Sequence, residues 1–323
     1  MPTETYHTPV LLQDVLLTLV TRPDGVYVDA TLGGGGHAEA LLERLSATGR
    51  LIGIDTDTDA LAYARKRLER FGHRVVFVQD NFSNIGPILT KHAIHEVSGI
   101  LFDLGVSSHQ IDEAGRGFSF RADEPLDMRM DRRQQCDAGM VVNSSGLKEL
   151  KHLLEAYGEE RQAAKIAKAI VEARRRAKIR TTGELTSIVR RAVGERYVLK
   201  SLARVFQALR ISVNRELDVL APALQNAIER LEPGGRIVVL SYHSLEDRIV
   251  KHAFRDAAAA SRPSGSRLLP PEALSPRLRI ITRSPVTASE QEVTANPRAR
   301  SAKLRAAERL PVSRENVQIG ANL

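Results

Sequence analysis

Val26-Tyr27-Val28-Asp29-Ala30-Thr31-Leu32-Gly33-Gly34-Gly35-Gly36-His37, followed one helix later by Leu51-Ile52-Gly53-Ile54-Asp55, is the stretch that decides the fold. A short apolar strand runs into four consecutive glycines, then a helix, then a second strand ending in an acid. Glycine takes positive φ at no steric cost and lets the main chain approach a ligand closely. The helix that begins there offers unpaired N–H groups and the positive end of its dipole. An acid at the tip of the next strand accepts hydrogen bonds from both hydroxyls of a ribose. The stretch therefore predicts a nucleoside-containing cofactor held by the N-terminal part of the chain.

Further strand-like runs lie at Val75–Gln79, Gly99–Asp103 and Arg236–Ser241. The first four strands alternate with helical patterns, such as Asp59–Phe71 with Leu61, Ala64 and Leu68 on one face. That alternation predicts an α/β fold, a doubly wound parallel sheet with helices on both faces. After Asp103 the alternation stops for more than a hundred residues. Residues 106–133 read as a long ordered loop. Helical segments follow at Gly146–Tyr157, Glu159–Ala177, Thr182–Val193 and Lys200–Val219, the third opening on a hydroxyl cap at Thr182. The expected division is a core of residues 1–105 and 216–323 with a helical subdomain, 106–215, inserted between the fourth and fifth strands. Ala257–Pro276, rich in Ala, Ser and Pro, reads as a flexible excursion, and the tail after Arg309 as a loose terminus.

Gly33-x-Gly35-x-x-Ala38 satisfies a dinucleotide fingerprint, which alone is a weak signal. Two features turn the reading towards S-adenosylmethionine. Asp29 closes the strand before the turn, where a pyrophosphate would repel it and a cationic ammonium would suit it. The third strand ends in Gln79-Asp80-Asn81-Phe82, a carboxylate and a ring placed for an adenine. The bland alternative is a tight structural turn that binds nothing.

The 323 residues carry a net charge of +8, 42% hydrophobic residues and a single cysteine, Cys136. One cysteine excludes an intramolecular disulfide and a cysteine-built metal site, and suits a reducing cytoplasm. The histidines are scattered without ligand spacing, so no metal is expected. The polar segment Met1–His7 lacks the layout of a signal peptide, and no apolar run is long enough to span a bilayer, so no membrane partner is expected. Between Arg161 and Arg215 stand 15 Lys or Arg and 3 acids, a balance of +12 that exceeds the whole-chain excess. The basic character thus belongs to the helical insert, and points to a polyanion.

Several stretches, in this order, closely resemble the ribosomal RNA small subunit methyltransferase H family, whose members methylate the exocyclic N4 of a cytidine in the decoding region. They are His7-Thr8-Pro9-Val10-Leu11-Leu12, the glycine loop from Asp29 to His37, Asp103-Leu104-Gly105-Val106-Ser107-Ser108, Arg116-Gly117-Phe118-Ser119-Phe120 and Pro125-Leu126-Asp127-Met128-Arg129-Met130-Asp131. Phe206-Gln207-Ala208-Leu209-Arg210-Ile211, Tyr242-His243-Ser244-Leu245-Glu246-Asp247-Arg248 and Asn296-Pro297-Arg298-Ala299-Arg300-Ser301-Ala302-Lys303 complete the set. The resemblance implies a class I, Rossmann-like, S-adenosylmethionine-dependent methyltransferase sheet with an inserted helical substrate domain. It also implies small-subunit ribosomal RNA as partner, either free or within the 30S subunit, with monomer or homodimer left open. The family's cofactor contacts fall on Gly35, Gly36, His37, Asp55, Phe82, Asp103 and Gln110. The chain departs from the family at Lys200–Val205, where a His-Pro-Ala-Thr-Arg run is common, and at Tyr242, where phenylalanine is common.

Methyl transfer from a sulfonium is an in-line displacement, so alignment and exclusion of water are the main demands. The cytosine amine is a poor nucleophile, and an acceptor for its hydrogens would help. Asp103 has three readings: it accepts from that amine, contacts the methionine end of the cofactor, or caps its strand. His243, the second candidate catalytic residue, either takes the amine proton, stacks on the base, or is a structural hydrogen-bonder. Ser107 and Ser108 line a base pocket or turn the chain. The cluster of Arg116, Arg121, Arg129, Arg132 and Arg133 with Phe118 and Phe120 suits phosphate contact and stacking. Equally, it suits a rigid loop whose arginines pair with Asp123, Asp127 and Asp131. The run Arg174-Arg175-Arg176-Ala177-Lys178-Ile179-Arg180 mixes no acids and reads as phosphate-binding. The competing functions are a methyltransferase for another RNA base or a protein, and a non-catalytic RNA-binding protein with a vestigial cofactor fold.

Overall fold

The computed structural model describes residues 9–107, 110–111, 113, 115–262 and 271–311. The chain forms two compact units, one of residues 1–105 with 219–323, the other of residues 106–218.

The first unit is built on an eight-stranded sheet. Its parallel part has the order β3 (Val75–Gln79), β2 (Arg50–Asp55), β1 (Val26–Asp29), β4 (Val97–Asp103), β5 (Leu231–Ser241). The class I methyltransferase arrangement expected of this chain is what the strands adopt. Alternate residues along each strand feed opposite faces. Val28, Ile52, Ile100 and Val239 pack in one core with Ile85, Leu89, Leu224 and Phe254. Tyr27, Leu51, Leu101 and Val238 pack in a second with Leu19, Leu41, Leu42 and Leu304. Covering both faces explains why these strands read as near-continuous apolar runs.

Several elements of this unit differ from the sequence expectation. β5 begins at Leu231, ahead of the Glu232–Gly235 turn, with its register against β4 shifting between Val97 and Gly99. After a two-residue antiparallel pair, β6 (Ser261–Arg262) with β7 (Glu272–Ala273), come β8 (Leu278–Ile280), β9 (Val286–Thr287) and β10 (Lys303–Arg309). β10 lies antiparallel against β5 and carries β8 and β9 on its other side. The excursion expected over Ala257–Pro276 is thus partly structured at its two ends; residues 263–270 and the tail from 312 lie outside the described residues. A helix at Leu12–Leu19 was also not foreseen.

The second unit is helical: Ala138–Ser144, Leu147–Ala156, Ala163–Arg174, Thr182–Val193 and Val198–Asn214. Leu150, Ile166, Ile170, Leu185, Val189, Val205 and Leu209 are in its core. The cap of the fourth helix is Thr181, one residue earlier than expected; its hydroxyl accepts from the Glu184 N–H while Glu184 returns to the Thr181 N–H. Thr182 instead donates to the Ala122 carbonyl and accepts from the Glu124 N–H. The expected single helix Lys200–Val219 is two, because Arg215 takes a left-handed φ of 52° and a new helix, Glu216–Glu229, starts beyond it.

Arg174 ends its helix pointing inward. Its guanidinium donates to the carbonyls of Val142 (2.7 Å) and Ser145 (2.6 Å), satisfying acceptors at the end of the Ala138–Ser144 helix. Arg174→Ala is therefore expected to destabilise the protein by about 1–3 kcal/mol, read as a lower thermal midpoint.

Candidate functional site

The site grows from the carboxyl ends of β1, β2 and β4, the edge at which open α/β sheets bind ligands. Main-chain bonds carry the loop across this edge: Ala30 N–H to Leu101 O and Leu32 N–H to Ile54 O, both 2.9 Å. Gly35 caps helix Gly36–Arg44 with a φ of 76°, a conformation a Cβ would strain. Across from it, a side chain at Gly53 would strike Leu32, so β2 and the loop pack without space between them.

Asp55 holds the loop to β2. One carboxylate oxygen accepts from the Gly33 N–H at 2.7 Å, the other from the Asp57 N–H at 2.9 Å. Loss of water around this carboxyl pushes its pKa up to about 6, against the pull of those N–H groups. Asp29 is fully buried beneath the loop, and its Oδ1 accepts from the Thr31 N–H at 3.2 Å. Burial pushes its pKa up to about 7, with nearby His37 pulling the other way.

His37 stands in the first turn of the helix, 6% exposed, and neither ring nitrogen makes a hydrogen bond among the described residues. Its Nε2 lies 3.5 Å from Asp103 Oδ2. The Asp103 N–H donates to Thr31 Oγ1 at 2.6 Å, and Tyr242 Oη donates to Asp103 Oδ1 at 2.7 Å. Phe82 opens a short 3₁₀ turn after β3, its ring edge-on to Phe102 with centroids 5.6 Å apart. The Asp80 carboxylate beside it accepts from Asn81 N–H and Asn84 Nδ2.

Of the residues singled out from the sequence, Gly35, Gly36, His37, Asp55 and Asp103 thus gather on one sheet edge, with Phe82 at the end of the neighbouring strand. Gln110 belongs to the other unit, where its Oε1 accepts from the Ser107 N–H at 3.1 Å. Ser108 lies outside the described residues. His243 caps helix Ser244–Ala257: its Nδ1 accepts from the Glu246 N–H at 3.4 Å, and its Nε2 lies 3.2 Å from Glu246 Oε1. That geometry gives the ring a structural task. Thr31 and the hydroxyl of Tyr242 were not foreseen as part of the site. The signal for Tyr242 was present, a phenol directly after a strand that ends beside Asp103.

In the helical unit the arginine–aromatic loop is largely internal. Arg116 is 1% exposed and donates to the carbonyls of Arg129 and Met130. Arg129 pairs with Asp127 and Arg133 with Asp131, which holds both carboxyls below their ordinary range. Phe118 and Phe120 pack on the core, Phe120 edge-on to Phe206 at 5.4 Å. Asp123 instead accepts from the Gly183 N–H. Beyond the inward-facing Arg174, Arg175, Arg176, Lys178 and Arg180 are exposed. Among the described residues, no helix is long and apolar enough to cross a membrane.

Comparison with known proteins matches residues 4–310 to the model of the MraW methylase family. A relative from Heliobacterium modesticaldum, named ribosomal RNA small subunit methyltransferase H, is 47% identical over 94% of this chain and 99% of its own length. Proteins of the same name from Fusobacterium nucleatum and Clostridioides difficile are 46% and 44% identical, covering 94% and 95% of this chain and 97% and 100% of their own.

Proposed function

This chain belongs to the MraW methylase family, and from that premise we propose that it methylates the exocyclic N4 of a cytidine in the decoding region of small-subunit ribosomal RNA. S-adenosylmethionine, the methyl donor, supplies an electrophilic methyl on a sulfonium. The residues fit such a donor. The glycine loop is a cradle that a Cβ at Gly35 would strain, and His37 is a buried polar ring with unmet hydrogen-bonding capacity beside it. Asp55 offers the ribose its remaining lone pairs, and Phe82 a face for the adenine. Asp29 and Asp103 supply negative charge for the cationic methionine end. Gln110 is assigned to the same cofactor on the family pattern.

The observation that carries the substrate assignment is the near-complete match, at 44–47% identity, to relatives that share one name. The exposed Arg175, Arg176, Lys178 and Arg180 agree with it as phosphate contacts. The target base must leave its stack to meet the methyl donor, so a pocket for a flipped cytosine is part of this reading. On the family pattern Asp103 is assigned to the methionine end of the donor, with acceptance from the amine as its second reading, and His243 is retained as a candidate near the base only. We place the protein in the cytoplasm, where its substrate is made.

Mass mapping of small-subunit rRNA from cells with and without the gene tests the assignment, and a decoding-region cytidine unchanged between them would end it. Assaying free rRNA against assembled 30S subunits identifies the form of the substrate. Reversing charge at Arg175 and Arg176 together is expected to weaken RNA binding about tenfold or more at low salt and to flatten its salt dependence. Unlike Arg174→Ala, this change should leave the thermal midpoint nearly unmoved.

A further inference from the structure

We propose that the hydroxyl of Tyr242 is a positioning group for Asp103, holding that carboxylate in one orientation; this rests on the reading of the sheet edge as the S-adenosylmethionine site. Phenylalanine would fill the same volume, so the task of the hydroxyl is separable from the packing of the ring.

The oxygen is well aimed. Tyr242 follows β5 directly, and its main chain is fixed because its N–H donates to Glu246 Oε2 at 2.9 Å. Its ring packs against the second core of the sheet and lies alongside Gly105. With backbone and ring held, the phenol reaches Asp103 Oδ1 at 2.7 Å. Asp103 is gripped from three directions: at its N–H by Thr31, at Oδ1 by Tyr242, and with Oδ2 3.5 Å from His37 Nε2.

The charges around the pair fix the direction of the proton. Asp103 faces Tyr242, His37 and, across the loop, the buried Asp29. Tyr242 faces Asp103, Glu246 and Glu292. Burial first, and these acids next, push the phenol well above its ordinary pKa, so it stays protonated and donates. A phenol that only donates fixes which way Asp103 Oδ1 points, and with it the face the carboxylate offers a cationic ligand.

Tyr242→Phe tests this in the full-length protein, made both in the wild-type and in the Asp103→Ala background, with S-adenosylmethionine affinity measured by calorimetric titration. Phenylalanine preserves the packing, and a thermal melt verifies the fold. Loss of the hydroxyl is expected to weaken affinity about five- to tenfold in the wild-type background and to change it by less than about twofold where Asp103 is alanine. An equal loss in both backgrounds would overturn the proposal, because a packing role does not depend on the Asp103 carboxylate. A wild-type protein that fails to bind S-adenosylmethionine at any pH would remove the site reading itself, and the proposal with it.

Discussion

Asp29→Asn is expected to stabilise the ligand-free protein at pH 8 and, in the same variant, to weaken S-adenosylmethionine binding about tenfold or more. Both effects come from one buried carboxyl. An unfolded aspartate titrates near 4, whereas Asp29 in the folded protein is pushed up to about 7. Between those values the folded state holds a proton that the unfolded state has lost. Stability from this group is therefore complete below pH ~4, falls as pH rises, and is gone above ~7. The shift corresponds to roughly 4 kcal/mol lost at pH 8. Asparagine carries no charge to desolvate and keeps an oxygen for the Thr31 N–H, so the variant should melt several degrees higher there. A cation beside Asp29 favours the anion. Wild-type affinity should accordingly climb as pH passes through 7, while the variant's stays flat. Melts and titrations between pH 5 and 8.5 measure both. A variant that melts lower at pH 8, or that keeps the wild-type pH dependence of binding, would count against this account.

Asp55→Ala is expected to cost about 100-fold or more in S-adenosylmethionine affinity with a small change in stability. Two losses combine in the affinity. The carboxylate's bonds to ribose hydroxyls, each worth about 1.5–3 kcal/mol as hydrogen bonds to a charged group, disappear. The glycine loop also loses its anchor, since the N–H groups of Gly33 and Asp57 no longer have their acceptor. In stability the effects oppose each other. Those N–H groups lose partners, but a carboxyl pushed up to about 6 no longer has to be kept ionised out of water at neutral pH. Calorimetric titration beside a thermal melt separates the terms, and affinity within threefold of wild type would refute the anchoring role.

The parallel sheet was readable because covered strands are apolar on both sides and end at glycines and acids. β10 was not. Lys303-Leu304-Arg305-Ala306-Ala307-Glu308-Arg309 has alanines and charges where strands prefer branched and aromatic residues. Charges along it meet partners from afar: Lys303 and Arg305 pair with Asp247, and Glu308 with Arg236 and Arg279. The break at Arg215 was hidden for a similar reason. No glycine or proline marks it, and the turn is tied by Asn214, whose side chain bonds the main chain at Met128 and Met130. Arg174 shows the limit of reading charge from a run, since two neighbours in the same run are exposed while it faces carbonyls. His243 shows the same limit for a strand-end histidine, whose cap on the following helix depends on Glu246 three residues away.

The interleaving of the two units along the chain has a consequence for how the protein comes into being. β4 must pair with β5 across more than a hundred residues, Gly99 opposite Arg236, and β5 cannot leave the ribosome until the whole insert has been made. Closing so long a loop is slow when its contents are uncoiled, and local helices shorten it. Until β5 has been made, β4 has β1 as its one neighbour in the sheet, so the β4–β5 pair is the contact of this sheet that the insert makes most remote in sequence.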